Sequence, residues 1–153
     1  MDLSYHAKGR LTGTATAILD DAGTTSYLYT VFYYDKQGRV IQTKSTNQFT
    51  GGYDKEYFVY DFTGQVTQHK HIHSNGSTTT TEEYTYVYDH AGRLLFTKHK
   101  LNNGSEQTLL ANTYDDLGRL KENSRNGVAS LKTNYTYNIR SWLKTITGSL
   151  FNG

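Results

Sequence analysis

The fold is decided by a seven-residue segment, YDKQGRV (residues 34–40), because close copies of it recur along the chain. Full copies are YDHAGRL (88–94) and YDDLGRL (114–120), whereas YDFTGQV (60–66) has Gln in place of Arg. Two degenerate copies are YHAKGRL (5–11) and YNIRSWL (137–143). A motif that returns every 23 to 29 residues predicts an array with one supersecondary unit per repeat. The six repeats begin at Tyr5, Tyr34, Tyr60, Tyr88, Tyr114 and Tyr137.

Each copy of the motif has the composition of a tight β-hairpin turn. Asp favours the first position of a type I turn, and the Gly three residues later tolerates the left-handed conformation of a bulged three-residue loop. In this register Asp35 lies nearly opposite Arg39, so we expect Asp to cap its own turn and Arg to brace it. An anion site at such a pair is the alternative. The structural turn residues are Tyr34, Asp35, Gly38, Arg39, Tyr60, Asp61, Gly64, Tyr88, Asp89, Gly92, Arg93, Tyr114, Asp115, Gly118 and Arg119.

The segments before these turns alternate with period two, which is typical of strands with one sheltered face. A second turn falls midway through most repeats, so each repeat supplies about two strands. We therefore predict an all-β chain, an antiparallel meander of roughly ten to twelve strands. The midway turns are Asn75-Gly76, Asn103-Gly104 and Asn126-Gly127, with weaker signals at Asp21-Ala22-Gly23 and Gly51-Gly52.

The composition sets further expectations. Only 35% of the 153 residues are hydrophobic, but 14 are Tyr and 6 are Phe, so aromatic rings are expected to supply the core. The lone Trp142 is predicted to be a large core residue near the C-terminal end. There is no Cys for a disulfide and no Pro to protect a sheet edge. We therefore expect edge-to-edge homo-oligomers at high concentration.

Charge and hydropathy argue against two classes of partner. The net charge is +2 with no basic run, which gives no indication of nucleic-acid binding. No apolar run is long enough for a membrane-spanning helix, and no signal peptide is recognisable. Aromatic alternation also occurs in transmembrane strands, but the faces opposite the rings carry Lys, Thr, Gln and Glu, and the mean hydropathy is −0.70. Membrane insertion is therefore not predicted.

The motif at this spacing resembles the YD repeat, also called the RHS (rearrangement hot spot) repeat, over about residues 5–143. The order of variants is similar to that in RHS proteins of Bacteroidetes. The resemblance implies a β-sheet that spirals into a hollow shell, which in bacterial relatives encloses a C-terminal toxin or effector, on a secreted or cell-surface protein. Six repeats are too few to close a shell. We therefore expect residues 1–153 to form one array with an open, curved or half-barrel sheet, within a larger protein.

The predicted function is a non-catalytic structural module without a cofactor, whose partners are other repeats of the parent chain and an encapsulated toxin domain. The alternative, also implied by the resemblance, is carbohydrate binding by the aromatic face. Cross-strand ladders that hold the sheet together are the favoured interpretation of these rings. The possible ligand face comprises Tyr84, Tyr86, Tyr88, Tyr135 and Tyr137.

Two further clusters contain residue types that are common at chemical sites. His69, His71 and His73 share one strand face, but rings at this spacing do not easily share an ion, and no acidic third ligand is evident. A solvated strand face is favoured over metal binding. Adjacent carboxylates point to opposite faces of a strand, so no glycosidase-like pair is predicted. The acidic neighbours are Asp20-Asp21, Glu82-Glu83 and Asp115-Asp116.

Overall fold

The computed structural model describes residues 7–19 and 25–148, and within them the prediction of an all-β antiparallel meander is confirmed. Eleven described strands follow one another in sheet order. Tyr5, His6, Asp20 and the turn at Asp21-Ala22-Gly23 lie outside the described residues. The strands are β1 Gly13–Leu19, β2 Thr25–Tyr34, β3 Val40–Thr46, β4 Tyr53–Tyr60, β5 Val66–Ser74, β6 Thr79–Tyr88, β7 Leu94–Leu101, β8 Gln107–Tyr114, β9 Leu120–Arg125, β10 Lys132–Tyr137 and β11 Leu143–Gly148.

Backbone contacts divide the chain into an N-terminal unit, Met1–Glu83, and a C-terminal unit, Tyr84–Gly153. In the N-terminal unit β1 to β5 pair antiparallel in succession. In the C-terminal unit β7 to β11 do the same. Thr, Val, Tyr and Phe dominate β2, β4, β6 and β10, as expected for a pleated and partly covered surface. No helix in the described part of the chain has the length and apolar character needed to span a membrane.

The repeated turns have the geometry that the motif predicts. In the turn at residues 35–39 the amide of Gly38 donates to the Asp35 carbonyl at 3.0 Å, and the amide of Asp35 donates to the Arg39 carbonyl at 2.9 Å. Gly38 has φ +81°, and the β2–β3 register shifts by one residue next to the turn. A type I turn followed by a left-handed Gly and a bulge matches the twist of the strands. The turn therefore fixes which residues face each other across the hairpin.

The degenerate copy at residues 137–143 forms the same turn. Asn138 takes the place of Asp and accepts from the amides of Arg140 and Trp142 at 2.9 and 3.0 Å. Ser141 takes the place of Gly and adopts φ +61°. The backbone geometry of the repeat is thus retained here although most of the motif is not.

The expectation of an aromatic core is wrong for the described residues, because none of their hydrophobic side chains is fully buried. Side chains on a sheet face are covered mainly by their neighbours in the sheet unless a second layer packs on them. The prediction that Trp142 is a core residue is also wrong, because its side chain is 66% exposed. Trp142 occupies the turn position that Arg has in the full copies, at the end of the hairpin rather than inside the sheet.

The midway turns differ more from expectation. Asn126 and Gly127 both have positive φ, 54° and 62°, as a type I′ turn requires. A single 3₁₀ turn, Ala129–Leu131, then precedes β10, so the β9–β10 loop is longer than a two-residue hairpin. In the β7–β8 loop the left-handed residue is Asn102 rather than Asn103 or Gly104.

Substitution of Gly118 by Ala tests how strongly the turn depends on glycine. Gly118 has φ +80°, and an added Cβ would lie 2.8 Å from Nη1 of Arg93. We expect a loss of about 1–2 kcal/mol from the left-handed backbone alone, and about 1 kcal/mol more from the displaced guanidinium. Chemical unfolding followed by circular dichroism measures both.

The matched control is Gly51→Ala, because Gly51 has φ +72° but open space around an added Cβ. Gly51→Ala should lower the free energy of unfolding only by the amount that the left-handed backbone costs. Equal losses for the two variants would contradict the role assigned to Arg93.

Candidate functional site

Four of the tyrosines that lead the repeats are joined to the preceding repeat by their hydroxyl groups. In the N-terminal unit Tyr60 Oη donates to the Val40 carbonyl at 2.7 Å, and Tyr34 bonds Leu11 in the same way at 2.6 Å. In the C-terminal unit Tyr114 Oη donates to the Leu94 carbonyl and Tyr137 Oη to the Leu120 carbonyl, at 2.9 and 2.8 Å. The acceptor is each time the residue that closes the preceding motif. These hydroxyls therefore have a structural role, because each one holds two repeats together.

The arginine of each full motif bridges two repeats. Arg39 Nε donates to Asp35 Oδ2 of its own turn at 2.6 Å. Its guanidinium lies 4.5 Å from the centroid of the Tyr60 ring in the next repeat, and its Nη1 donates to the Asp61 carbonyl at 3.3 Å. A partly desolvated guanidinium over an aromatic face gains about 0.5–2 kcal/mol. One side chain thus braces its own turn and holds the next one.

The C-terminal unit repeats this arrangement. The guanidinium of Arg119 lies 4.7 Å from the Tyr137 ring, and Arg119 Nη1 donates to the Asn138 carbonyl at 3.2 Å. Arg93 lies 4.6 Å from the Tyr114 ring. Tyr114 and Tyr137 therefore have one ring face covered by arginine, which argues against Tyr137 as a stacking surface for a ligand.

The turn carboxylates are stabilised in their ionised form. Burial opposes ionisation of Asp35, but hydrogen bonds from the Arg39 amide and side chain and from the Gln37 amide outweigh it and lower the pKa of the carboxyl. At Asp89 the amide of Arg93 is the largest cause of the lowered pKa. These groups act as caps and braces, not as acids or bases poised for catalysis near neutral pH.

The repeat that lacks Arg compensates within its own turn. Asp61 Oδ1 accepts from the Thr63 hydroxyl at 2.6 Å and from the amides of Thr63 and Gln65 at 2.8 and 2.9 Å. The hydroxyl bond is the largest cause of the lowered pKa of Asp61. The turn therefore forms without the arginine.

The predicted ligand face is only partly accessible. Tyr84, Tyr86 and Tyr88 are half-buried, and the rings of Tyr84 and Tyr86 lie 6.5 Å apart at an interplanar angle of 11°. Tyr84 also contacts His99, with ring centroids 4.6 Å apart. Burial raises the pKa of Tyr86, and the neighbouring Tyr84 and Tyr88 raise it further. Tyr135 and Tyr137 on β10 are likewise half-buried.

The most exposed row of tyrosines lies instead on β2. Tyr27, Tyr29 and Tyr33 share one strand face and are 49%, 54% and 41% exposed. Their neighbours across the β1–β2 ladder are small, since Ala17 lies opposite Tyr27 and Ala15 opposite Tyr29. The alternation of Thr and Ala along β1 was the sequence signal for this exposure, because small residues leave adjacent rings uncovered.

The same face of the N-terminal unit carries lysines. Lys44 on β3 lies opposite Val31, and Lys55 on β4 lies opposite Lys44. Lys70 on β5 follows on this face and pairs with Glu83 on β6 at 2.9 Å. We name this surface the lysine face; it comprises Tyr27, Tyr29, Val31, Tyr33, Lys44, Tyr53, Lys55, Tyr57, Lys70 and Glu83.

The opposite surface of this unit brings the three predicted histidines together with carboxylates. His73 Nδ1 lies 2.6 Å from Asp54 Oδ1, and His69 contacts Glu56. His71 lies within 3.5 to 3.9 Å of carboxylate oxygens of Asp54, Glu56 and Glu82. We name this surface the histidine face; it comprises Asp54, Glu56, His69, His71, His73 and Glu82.

The expectation that the histidines lack acidic neighbours is therefore wrong. Their partners come from β4, which the turn at residues 60–66 pairs with β5, so that Glu56 faces His71 and Asp54 faces His73. Burial opposes ionisation of Asp54, but hydrogen bonds from His73 and Asn47 outweigh it and lower its pKa. Among the described residues no group of three potential ligands converges as a metal site. The geometry is that of a ladder of contacts between histidines and carboxylates.

The adjacent carboxylates of β6 lie on opposite faces of the sheet. Glu82 contacts His71, whereas Glu83 pairs with Lys70. In the turn at residues 115–119, Asp115 is bonded to Arg119, and Asp116 is exposed. Neither pair has the two facing carboxyl groups that glycoside hydrolysis needs.

No protein-family model and no curated protein sequence matches this chain. The likeness to YD/RHS repeats therefore rests on the motif itself, and the function has to be argued from the two faces and the contacts between repeats.

The lowered carboxyl pKa of Asp115 makes a prediction about acid stability. Burial opposes its ionisation, but hydrogen bonds from the Arg119 amide and side chain outweigh it, so the folded state holds this proton less tightly than the unfolded chain. The stabilisation is complete above the unfolded pKa of about 3.9 and is lost as the pH falls through the lower folded pKa. Asp115→Asn should thus lower the urea midpoint at pH 7, and the difference from the unsubstituted protein should shrink below about pH 4.

The control is Asp116→Asn, one residue away, whose side chain is exposed and outside the hydrogen bonds of the turn. Its urea midpoint should follow that of the unsubstituted protein at every pH. A loss at Asp115→Asn that is constant from pH 7 to about pH 3 would contradict the charge-based explanation.

Proposed function

We propose that this chain is a non-catalytic structural module, a section of a β-wall built by interlocking repeats. One observation carries the proposal. The Arg of the motif bonds the Asp of its own turn and lies over the Tyr ring of the next repeat, whose hydroxyl bonds the backbone of the preceding motif. The groups that define the motif are thereby used in construction. These contacts leave few polar groups of the motif side chains available to a substrate.

The contact between repeats suits an extended wall. Arg39 reaches Tyr60, and Arg119 reaches Tyr137, through the same pair of groups at nearly the same distance. Because each such contact involves only neighbouring repeats, it can be repeated along a chain of any number of units. A sheet extended in this way can enclose a volume without needing a thick core.

The wider role follows from the resemblance to RHS repeats. We propose that the module belongs to a longer secreted or cell-surface protein, in which the wall encloses or presents a toxin or effector domain. The scarcity of buried apolar side chains among the described residues supports a wall rather than a self-contained catalytic domain.

Electron cryomicroscopy of the longest native polypeptide that carries residues 1–153 tests this role. The expected result is a hollow β-shell in which the Asp–Arg turns stack in a row. A full-length protein in which these repeats enclose no volume would overturn the proposal.

A second candidate function, carbohydrate binding, is favoured by the exposed tyrosines of β2. Aromatic rings with one open face and a polar edge suit ligands that are apolar on one side and hydroxylated on the other. Tyr27 and Tyr29 have small neighbours on β1, which leaves room beside the rings. The half-buried Tyr84 and Tyr86 are less suited to this.

A glycan array tests this candidate with Tyr27→Ser and Tyr29→Ser combined. Loss of saccharide binding in the double variant is expected. Phe62→Ser is the control, because Phe62 is an aromatic residue of the same unit that is 96% exposed but lies on a turn. Absence of binding, or equal loss in the control, would remove carbohydrate binding.

A further inference from the structure

Charge is segregated between the two faces of the N-terminal unit. The strand residues described for β1 and β2 include no charged side chain. On β3 to β6, up to Glu83, the lysine face holds Lys44, Lys55 and Lys70 against Glu83 alone. All three histidines and the other carboxylates lie on the histidine face. The exposed tyrosines therefore share their surface with positive charge.

Two of these lysines form an uncompensated pair. Lys44 and Lys55 lie directly opposite each other in the β3–β4 ladder, where side chains are about 5 Å apart at Cβ. Like charges in this arrangement repel. Each ammonium is held over a ring of its own face, Lys44 at 5.5 Å from the Tyr33 centroid and Lys55 at 4.0 Å from that of Tyr53. Among the described contacts neither lysine has a carboxylate partner.

We propose that the lysine face binds an acidic saccharide, with the carboxylate of a uronic acid unit placed between Lys44 and Lys55 and a sugar ring lying along Tyr29. This proposal rests on the carbohydrate-binding function proposed above and names its ligand class. Because Lys44 and Lys55 face each other in the ladder, both flexible side chains can turn from their rings to one anion and donate charge-assisted hydrogen bonds to it. The exposed ring of Tyr29 supplies the apolar contact that a free carboxylate lacks.

The number of cations favours an acidic saccharide over a nucleic acid. Backbone recognition of a nucleic acid relies on a row of cations that neutralises several phosphates. Here Lys70 is already paired with Glu83, which leaves only Lys44 and Lys55. Two neighbouring cations fit a ligand with an isolated acidic group.

A second copy of the chain is a weaker occupant. The carboxylates that would meet the lysines are those of the histidine face, and Asp54, Glu56 and Glu82 are already in contact with histidines. Docking through them would require these contacts to be shared. An acidic saccharide brings its own unpaired charge.

Calorimetric titration of the full chain tests the proposal with three probes: hexagalacturonate, neutral maltohexaose and oligo-dT. Tighter binding of hexagalacturonate is expected, with an affinity that falls as salt is added. Lys44→Gln/Lys55→Gln should weaken it about tenfold or more. The unfolding midpoint of this variant should change little, since relief of the like-charge repulsion offsets the loss of two cation–π contacts.

The control is Lys36→Gln/Lys121→Gln, which removes the same charge from exposed lysines outside the lysine face. It should leave hexagalacturonate binding unchanged, and an equal loss in it would overturn the proposal as non-specific attraction. Tighter binding of oligo-dT would also overturn it, in favour of nucleic acid. Light scattering that shows self-association dependent on Lys44 and Lys55, without saccharide binding, would do so in favour of a second copy.

Two results separate this proposal from the function on which it rests. Hexagalacturonate and maltohexaose could bind equally well, with a requirement for Tyr29 but not for Lys44 or Lys55. This result would contradict the proposal of an acidic ligand and support carbohydrate binding in general. If neither saccharide binds, the acidic-saccharide proposal and the carbohydrate-binding function are both contradicted.

Discussion

The arginine guanidinium that lies between two repeats is the interaction on which the rest of the structure depends. Arg39 bonds the Asp35 carboxylate at one edge and lies over the Tyr60 ring with its flat face. Only a planar cation with several fixed donors can make both contacts at once, which a lysine cannot reproduce. The Gly of the following turn also belongs to this arrangement, since an added Cβ at Gly118 would meet Arg93. The same arginine thus links the turn, the strand register and the contact between repeats.

This arrangement explains how the chain tolerates so little burial. No hydrophobic side chain among the described residues is fully buried, so the usual large contribution of apolar burial is reduced. In its place stand repeated hydrogen bonds, cation–π contacts and cross-strand ring pairs, each small and each local. An array held together in this way gains stability in proportion to its repeats.

The sequence was sufficient for the fold class and the turns because both are local properties. Asp and Gly at a fixed spacing determine the hairpin loop, and period-two alternation determines the strands. Exposure was not predictable in the same way. The size of Trp142 alone predicts a core residue, but its position in the turn leaves it 66% exposed. The acidic neighbours of His71 were missed because they lie on another strand, although the bulged turn at residues 60–66 was enough to bring Glu56 opposite it.

The separation of the two faces shows why the turn matters for function as well as for folding. Lys55 and Lys70 belong to one face, and their sequence neighbours Glu56 and His71 to the other. A shift of register by one residue would move every side chain of a strand to the opposite face. It would place Glu56 beside Lys44 and scatter the tyrosines over both surfaces. The Asp-capped turn and its single bulge exclude this shift. The turns at the hairpin ends therefore determine which side chains each face carries, although the lysines and tyrosines of the lysine face lie away from the turns.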